Sequence, residues 1–138
     1  MSPFQPRSSF LTRVLRWAPP IFYMGFRFFA SSVPGDELPS WGFWDKAEHL
    51  LAYSVLGILF LFPVAEARLA LVTPRTGAIA VLLATLYGAF DEIHQSFTPD
   101  RSPDVHDVFA DFLGATVGVV VVLLLRFVVT RLALRRVT

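Results

Sequence analysis

A run of valine and leucine, broken only by Gly118, fills residues 117–125 and forms the core of an apolar stretch spanning 104–125. A chain carrying such a run must bury it in a large core or place it in lipid. Three further stretches, 17–31, 45–62 and 76–96, share its character. Each approaches or reaches the roughly 20 residues that cross about 30 Å of hydrocarbon. Lipid offers no partner to open backbone groups, so each stretch is read as a helix. With 138 residues, 54% of them hydrophobic, and a mean hydropathy of +0.57, the chain lacks the polar surface of a soluble domain. No long polar linker divides it, so residues 1–138 are read as one domain. The expected fold is all-α: a polytopic bundle of four transmembrane helices.

The charges give this bundle a direction. Nine of the twelve Lys and Arg residues (Arg7, Arg13, Arg16, Arg68, Arg75, Arg126, Arg131, Arg135 and Arg136) fall on one side of a four-helix arrangement. Lys46 and Arg101 fall on the other, with Arg27 inside the first helix. The positive-inside rule then places both termini and the 63–75 loop in the cytoplasm, an N-in/C-in topology. Basic residues that flank helices in this way also exclude a nucleic-acid binder.

Stretch 17–31 follows basic residues and ends on small ones, as a cleaved leader would. Arg27 inside its apolar part and bulky aromatics near the would-be cleavage point favour a retained helix instead. Pro19 and Pro20 are acceptable in its first turn. Trp17, Trp41 and Trp44 stand at segment ends, where indole favours the headgroup region. Cysteine is absent, which removes thiolate metal sites and disulfides.

Acidic residues gather opposite the basic ones. Asp36, Glu37, Asp45, Glu48, Asp91, Glu92, Asp100, Asp104, Asp107 and Asp111 lie at outer ends or loops, leaving only Glu66 inside. Ten carboxylates against Arg27, Lys46 and Arg101 leave an excess of seven negative charges. Such charge must be solvated, protonated or neutralised by a cation. Asp45, His49 and Tyr53 share one face of the second helix, and Asp91 and Gln95 share a face of the third. Asp104, Asp107 and Asp111 form a stripe on the fourth. Asp91 is placed about 6–8 Å inside its helix end and Asp111 about 10 Å inside its own, depths that demand a bundle-facing or wet setting.

Three uses of this cluster stay open. One is a hydrogen-bonded network that joins the helices, with Asp45 and Asp104 as N-caps. A second is a divalent cation site drawn from Asp45, His49, Asp91, Gln95, Asp107 and Asp111. A third is acid–base chemistry by His49, Asp91, Glu92 and Asp107, with Lys46, Tyr53, Gln95 and Arg101 contacting substrate. Arg101 suits a phosphate, which guanidinium pairs bidentately. His94 and His106 read as interfacial polar residues. Gly114 and Gly118 have the spacing of close helix contact, either within the chain or in a homodimer.

The order and spacing of these residues resemble the VanZ-like family of small bacterial membrane proteins. The resemblance rests on Ser31-Ser32-Val33-Pro34, Asp45-Lys46-Ala47-Glu48-His49 with Tyr53 and Gly57, and Asp91-Glu92-Ile93-His94-Gln95. It continues through Phe97, Pro99-Asp100-Arg101, Asp107, Asp111, Gly114 and Gly118. The family usually has Asn at the position of Asp111 and Gly at that of Asp100. The resemblance implies a bacterial cytoplasmic (inner) membrane protein of the cell envelope, associated with resistance to teicoplanin-type glycopeptides. Beside the lipid bilayer, the partners that fit are a lipid-linked envelope molecule or a glycopeptide. The chain would act on such a molecule or bind it without turnover. A proton-coupled exporter fits less well, because transporter sites favour the membrane midplane.

Overall fold

A computed structural model describes residues 9–37 and 42–135, without the side chains of residues 42–45. Arg7, Trp41 and Arg136 lie outside the described residues, as do the side chains of Trp44 and Asp45. All regular structure described is helical: α1 (Phe10–Leu15), α2 (Ala18–Ser31), α3 (Gly42–Val64), α4 (Pro74–Gln95) and α5 (Val105–Arg135), with single 3₁₀ turns at Gly35–Glu37 and Leu69–Leu71.

Local chemistry explains the boundaries. Pro19 and Pro20 sit in the first turn of α2, where a missing N–H costs no intrahelical bond. Thr73 caps α4: its hydroxyl accepts from the Thr76 N–H at 3.3 Å while the Thr76 hydroxyl accepts from the Thr73 N–H at 2.8 Å. Asp104 accepts from the His106 N–H at 2.8 Å at the start of α5, which satisfies a first-turn donor.

Among the described residues, three helices are long and apolar enough to cross a membrane: α3 over Lys46–Val64, α4, and α5. The first expected span is smaller than the sequence suggests. The 14 residues of α2 cover about 21 Å at 1.5 Å per residue, short of the hydrocarbon thickness. The helical path breaks at Arg16 and Trp17, and α1 before it was not anticipated. Helix α5 also runs ten residues past the expected end at 125, to Arg135. Arg126 closes the apolar run, yet no Gly or Pro follows it to stop the helix.

The packing is apolar outside and polar within. Phe22, Phe29, Leu51, Leu82, Leu86, Leu124 and Leu125 are exposed, whereas Arg27, His49, Asp91, Glu92, Gln95, Asp107 and Asp111 are buried. Lipid-facing bundles have this arrangement, since polar side chains there turn toward one another. Tyr53, Leu56, Phe60, Ala80, Ala84, Tyr87, Ala115 and Val119 form the apolar part of the core.

Helices α3 and α5 approach through backbone. A Cβ on Gly57 would meet the Ala115 carbonyl oxygen at 2.8 Å, and Cβ atoms on Gly114 and Gly118 would collide with the carbonyls of Leu50 and Ser54. The Ser54 hydroxyl donates to the Gly114 carbonyl at 2.9 Å. The Gly114–Gly118 stripe is therefore covered by α3 of the same chain. Of the two contacts their spacing allows, the glycines make the one within the chain.

Helix α2 lies antiparallel against α3. Trp17 meets Phe60 edge to face at 6.3 Å, the Tyr23 hydroxyl donates to the Ala52 carbonyl at 3.1 Å, and Arg27 pairs with Glu48. At the opposite end of the bundle, Arg126 donates to the carbonyls of Val72 and Ala70, closing the turn between α3 and α4.

Candidate functional site at the polar end of the bundle

The C-terminal ends of α2 and α4 and the N-terminal ends of α3 and α5 meet at one end of the bundle, joined by side chains. The Ser31 hydroxyl of α2 donates to Asp91 Oδ1 of α4 at 2.7 Å. His49 Nδ1 of α3 lies 2.9 Å from Asp111 Oδ1 of α5. Lys46 Nζ donates to Asp104 Oδ2 and Asp107 Oδ1, each at 3.0 Å. Glu92 Oε2 of α4 accepts from the Asp104 N–H at 2.8 Å, and its Oε1 accepts from Gln95 at 3.3 Å.

Within this end the expected residues divide into two groups. One ligand atom each from His49, Glu92 and Asp107 lies within 4.8 Å of the others, and all three residues are buried. The second group lies around Tyr53, Asp91 and Arg27. The Arg27 guanidinium stands 5.8 Å from the centre of the Tyr53 ring, and the rings of His49 and Tyr53 are parallel at 6.1 Å. Asp91 thus serves α2 through Ser31, and Gln95 turns to Glu92. Glu92, rather than Asp91, is the α4 carboxylate that gathers with His49 and Asp107.

Several buried polar atoms have no hydrogen-bond partner. The Tyr53 hydroxyl, Asp91 Oδ2 and Asp111 Oδ2 are among them, on residues with no accessible surface. Buried polar groups are ordinarily paired, and these three lie on three different helices at this end. Gly88 makes room for the Asp111 carboxylate, because a Cβ there would strike Oδ2.

The rim is more open. Lys46 is half exposed, and Arg101 is partly buried with its Nε directed at the Val33 carbonyl at 3.5 Å. Gly35 donates to the Pro99 carbonyl at 3.0 Å, tying the segment after α2 to the turn after α4. Asp100 in that turn has φ 55°. The left-handed region favours Gly and tolerates Asp, which accounts for Asp where the family usually carries Gly. The Asp104 carboxyl is held well below the usual carboxylate range. The causes are hydrogen bonds from the His106 backbone and side chain, and then from Lys46.

Some contributors were not singled out as site residues from sequence. Ser31 and Glu48 lay inside recognised segments, but their partners, Asp91 and Arg27, are 60 and 21 positions away. Gly88 gave no periodic signal. His94, read as interfacial, stacks on Phe28 at 3.9 Å and lies 2.9 Å from the Ser32 hydroxyl, which fixes α2 to α4.

No curated protein and no solved structure matches the chain. A family model described as VanZ/LLP1 matches residues 4–126, from before α1 to the Arg126 that ends the apolar run of α5. The match takes in all the helices that build the polar end, and the chain belongs to the VanZ/LLP1 family.

Proposed function

We propose that this chain is a single-domain, four-span protein of the bacterial cytoplasmic membrane, with both termini cytoplasmic and its polar end at the outer leaflet. There it takes the headgroup of a lipid-linked or phosphate-bearing cell-envelope molecule, and so contributes to glycopeptide-type resistance. One observation carries this reading: four helices converge their buried charged residues at one end of a bundle whose exterior is apolar. The contacts of Trp17 with Phe60 and of Arg27 with Glu48 set α2 alongside most of α3, which supports a fourth crossing. The three basic residues Arg126, Arg131 and Arg135 lie at the other end, as cytoplasmic residues should.

In this reading Lys46 and Arg101 on the rim meet the phosphate, with Tyr53 and Gln95 deeper. His49, Asp91, Glu92 and Asp107 supply proton transfer if the molecule is turned over. A module that holds the envelope molecule without turnover uses the same contacts. Export is disfavoured, because the charged groups lie at one end rather than at mid-depth.

Reporter fusions after Arg135 and within 33–37 test the orientation, expected cytoplasmic and extracytoplasmic respectively. Binding of a polyprenyl phosphate to protein in nanodiscs tests the site. Lys46→Ala and Arg101→Ala should each weaken it at least tenfold, and phosphate release should accompany binding only if the protein is an enzyme. An extracytoplasmic C-terminus, or binding unchanged in both variants, overturns the proposal.

A further inference from the structure

We propose that His49, Glu92 and Asp107 bind a divalent transition-metal ion of the zinc or manganese type, one ligand from each of α3, α4 and α5. The inference rests on the reading of this end as the functional one, and deepens it by naming what neutralises its charge.

The geometry is close to that of a bound ion. The three ligand atoms lie within 4.8 Å of one another. Ligands about 2.0–2.2 Å from a shared ion lie at most about 4.4 Å apart, so a small inward turn of the side chains closes the site. One imidazole nitrogen and two carboxylate oxygens suit zinc or manganese better than calcium or magnesium, which prefer oxygen alone. Three protein ligands leave coordination positions open for water or a phosphate oxygen.

The surroundings supply independent support. Asp111 Oδ1 holds His49 Nδ1 at 2.9 Å, which leaves Nε2 as the nitrogen for an ion. A carboxylate bonded to the far side of a ligating imidazole is the usual orienting partner in metal sites. Asp111 is fully buried, with Gly88 leaving room for its carboxylate, so the partner of His49 is held in place. Glu92 is oriented in turn by Gln95 and by the Asp104 N–H.

Charge points the same way. Asp91, Glu92, Asp107 and Asp111 are buried carboxylates. The buried cation Arg27 is engaged with Glu48, and Lys46 reaches only Asp107 of the four, from the exposed rim. Buried charge left uncompensated is costly, and a divalent ion at the centre of the trio offsets most of it.

The full chain, purified in detergent and stripped with chelator, is titrated with Co²⁺, with Zn²⁺ read by competition. One ion per chain is expected. His49→Ala, Glu92→Gln and Asp107→Asn should each weaken binding at least ~100-fold, and Asp111→Asn ~10–100-fold, the usual effect of losing an orienting partner. Asp36→Asn should change nothing. Because site variants can fail to fold, a second measurement uses Cu²⁺ electron paramagnetic resonance on wild type and on the His94→Ala/His106→Ala double variant. Hyperfine coupling from one imidazole should persist in both. Binding absent from wild type, or an imidazole signal lost in the double variant, overturns the proposal. Polyprenyl phosphate binding in a chain that takes up no Co²⁺ would sink the metal and leave the envelope-ligand reading standing. Metal binding without any phosphate-lipid binding would do the reverse.

Discussion

Arg27 of α2 and Glu48 of α3 form an ion pair whose partners sit in unlike surroundings: the guanidinium side chain is 7% accessible and the carboxylate 59%. Removing Glu48 strands a buried charge, whereas removing Arg27 leaves a carboxylate that water or headgroups can solvate. Glu48→Ala should therefore cost about 1–3 kcal/mol, and Arg27→Met less. Thermal unfolding in detergent decides it, and the reverse order would contradict the placement of this pair.

The glycines should rank by what they face. Gly114→Ala and Gly118→Ala push against α3 backbone and should destabilise by about 1–3 kcal/mol each. Gly77→Ala meets first the Val119 side chain, which can yield, so its cost should be smaller. Gly25 has nothing within 4 Å of an added Cβ. Gly25→Ala should stabilise α2 by about 0.5–1 kcal/mol. Equal melting temperatures across the four variants would refute the backbone contact.

Asp91 carries one satisfied oxygen and one unpaired oxygen, both buried. Asp91→Asn removes a charge that is expensive to bury, so its melting temperature should stay level or rise. Ser31→Ala deletes the donor to Oδ1 and should cost about 1–3 kcal/mol. A scaffold role for Asp91 would make both variants fall together. A functional role predicts that Asp91→Asn keeps the fold and loses the polyprenyl phosphate binding proposed for this end.

Asp104 offers a pH test outside the membrane spans. The His106 and Lys46 hydrogen bonds depress its folded pKa, so its share of stability is fully present above the unfolded value of about 3.9. That share is lost only as pH falls through the lower folded value. Carbon-13 NMR of the labelled carboxyl should find Asp104 ionised at pH 4. A midpoint in the ordinary carboxylate range would show that these bonds do not hold in solution.

The sequence by itself determined the solvent and the polarity of this protein. Apolar stretches near 20 residues have few fates, and the separation of basic from acidic residues marks two unlike ends. The family was legible because its motifs lie in short local segments, such as 45–49 and 91–95. Periodicity also brought His49, Asp91, Glu92, Asp107 and Asp111 to one end, since helical rise sets depth without any knowledge of neighbours. Rotation about the helix axes was not legible, because it depends on which faces pack. Only the tertiary structure placed Glu92, rather than Asp91, beside His49 and Asp107, and gave Asp91 to Ser31. Packing likewise decided that Gly114 and Gly118 serve α3. Small residues permit close approach by any helix, and only the assembled bundle shows which one comes.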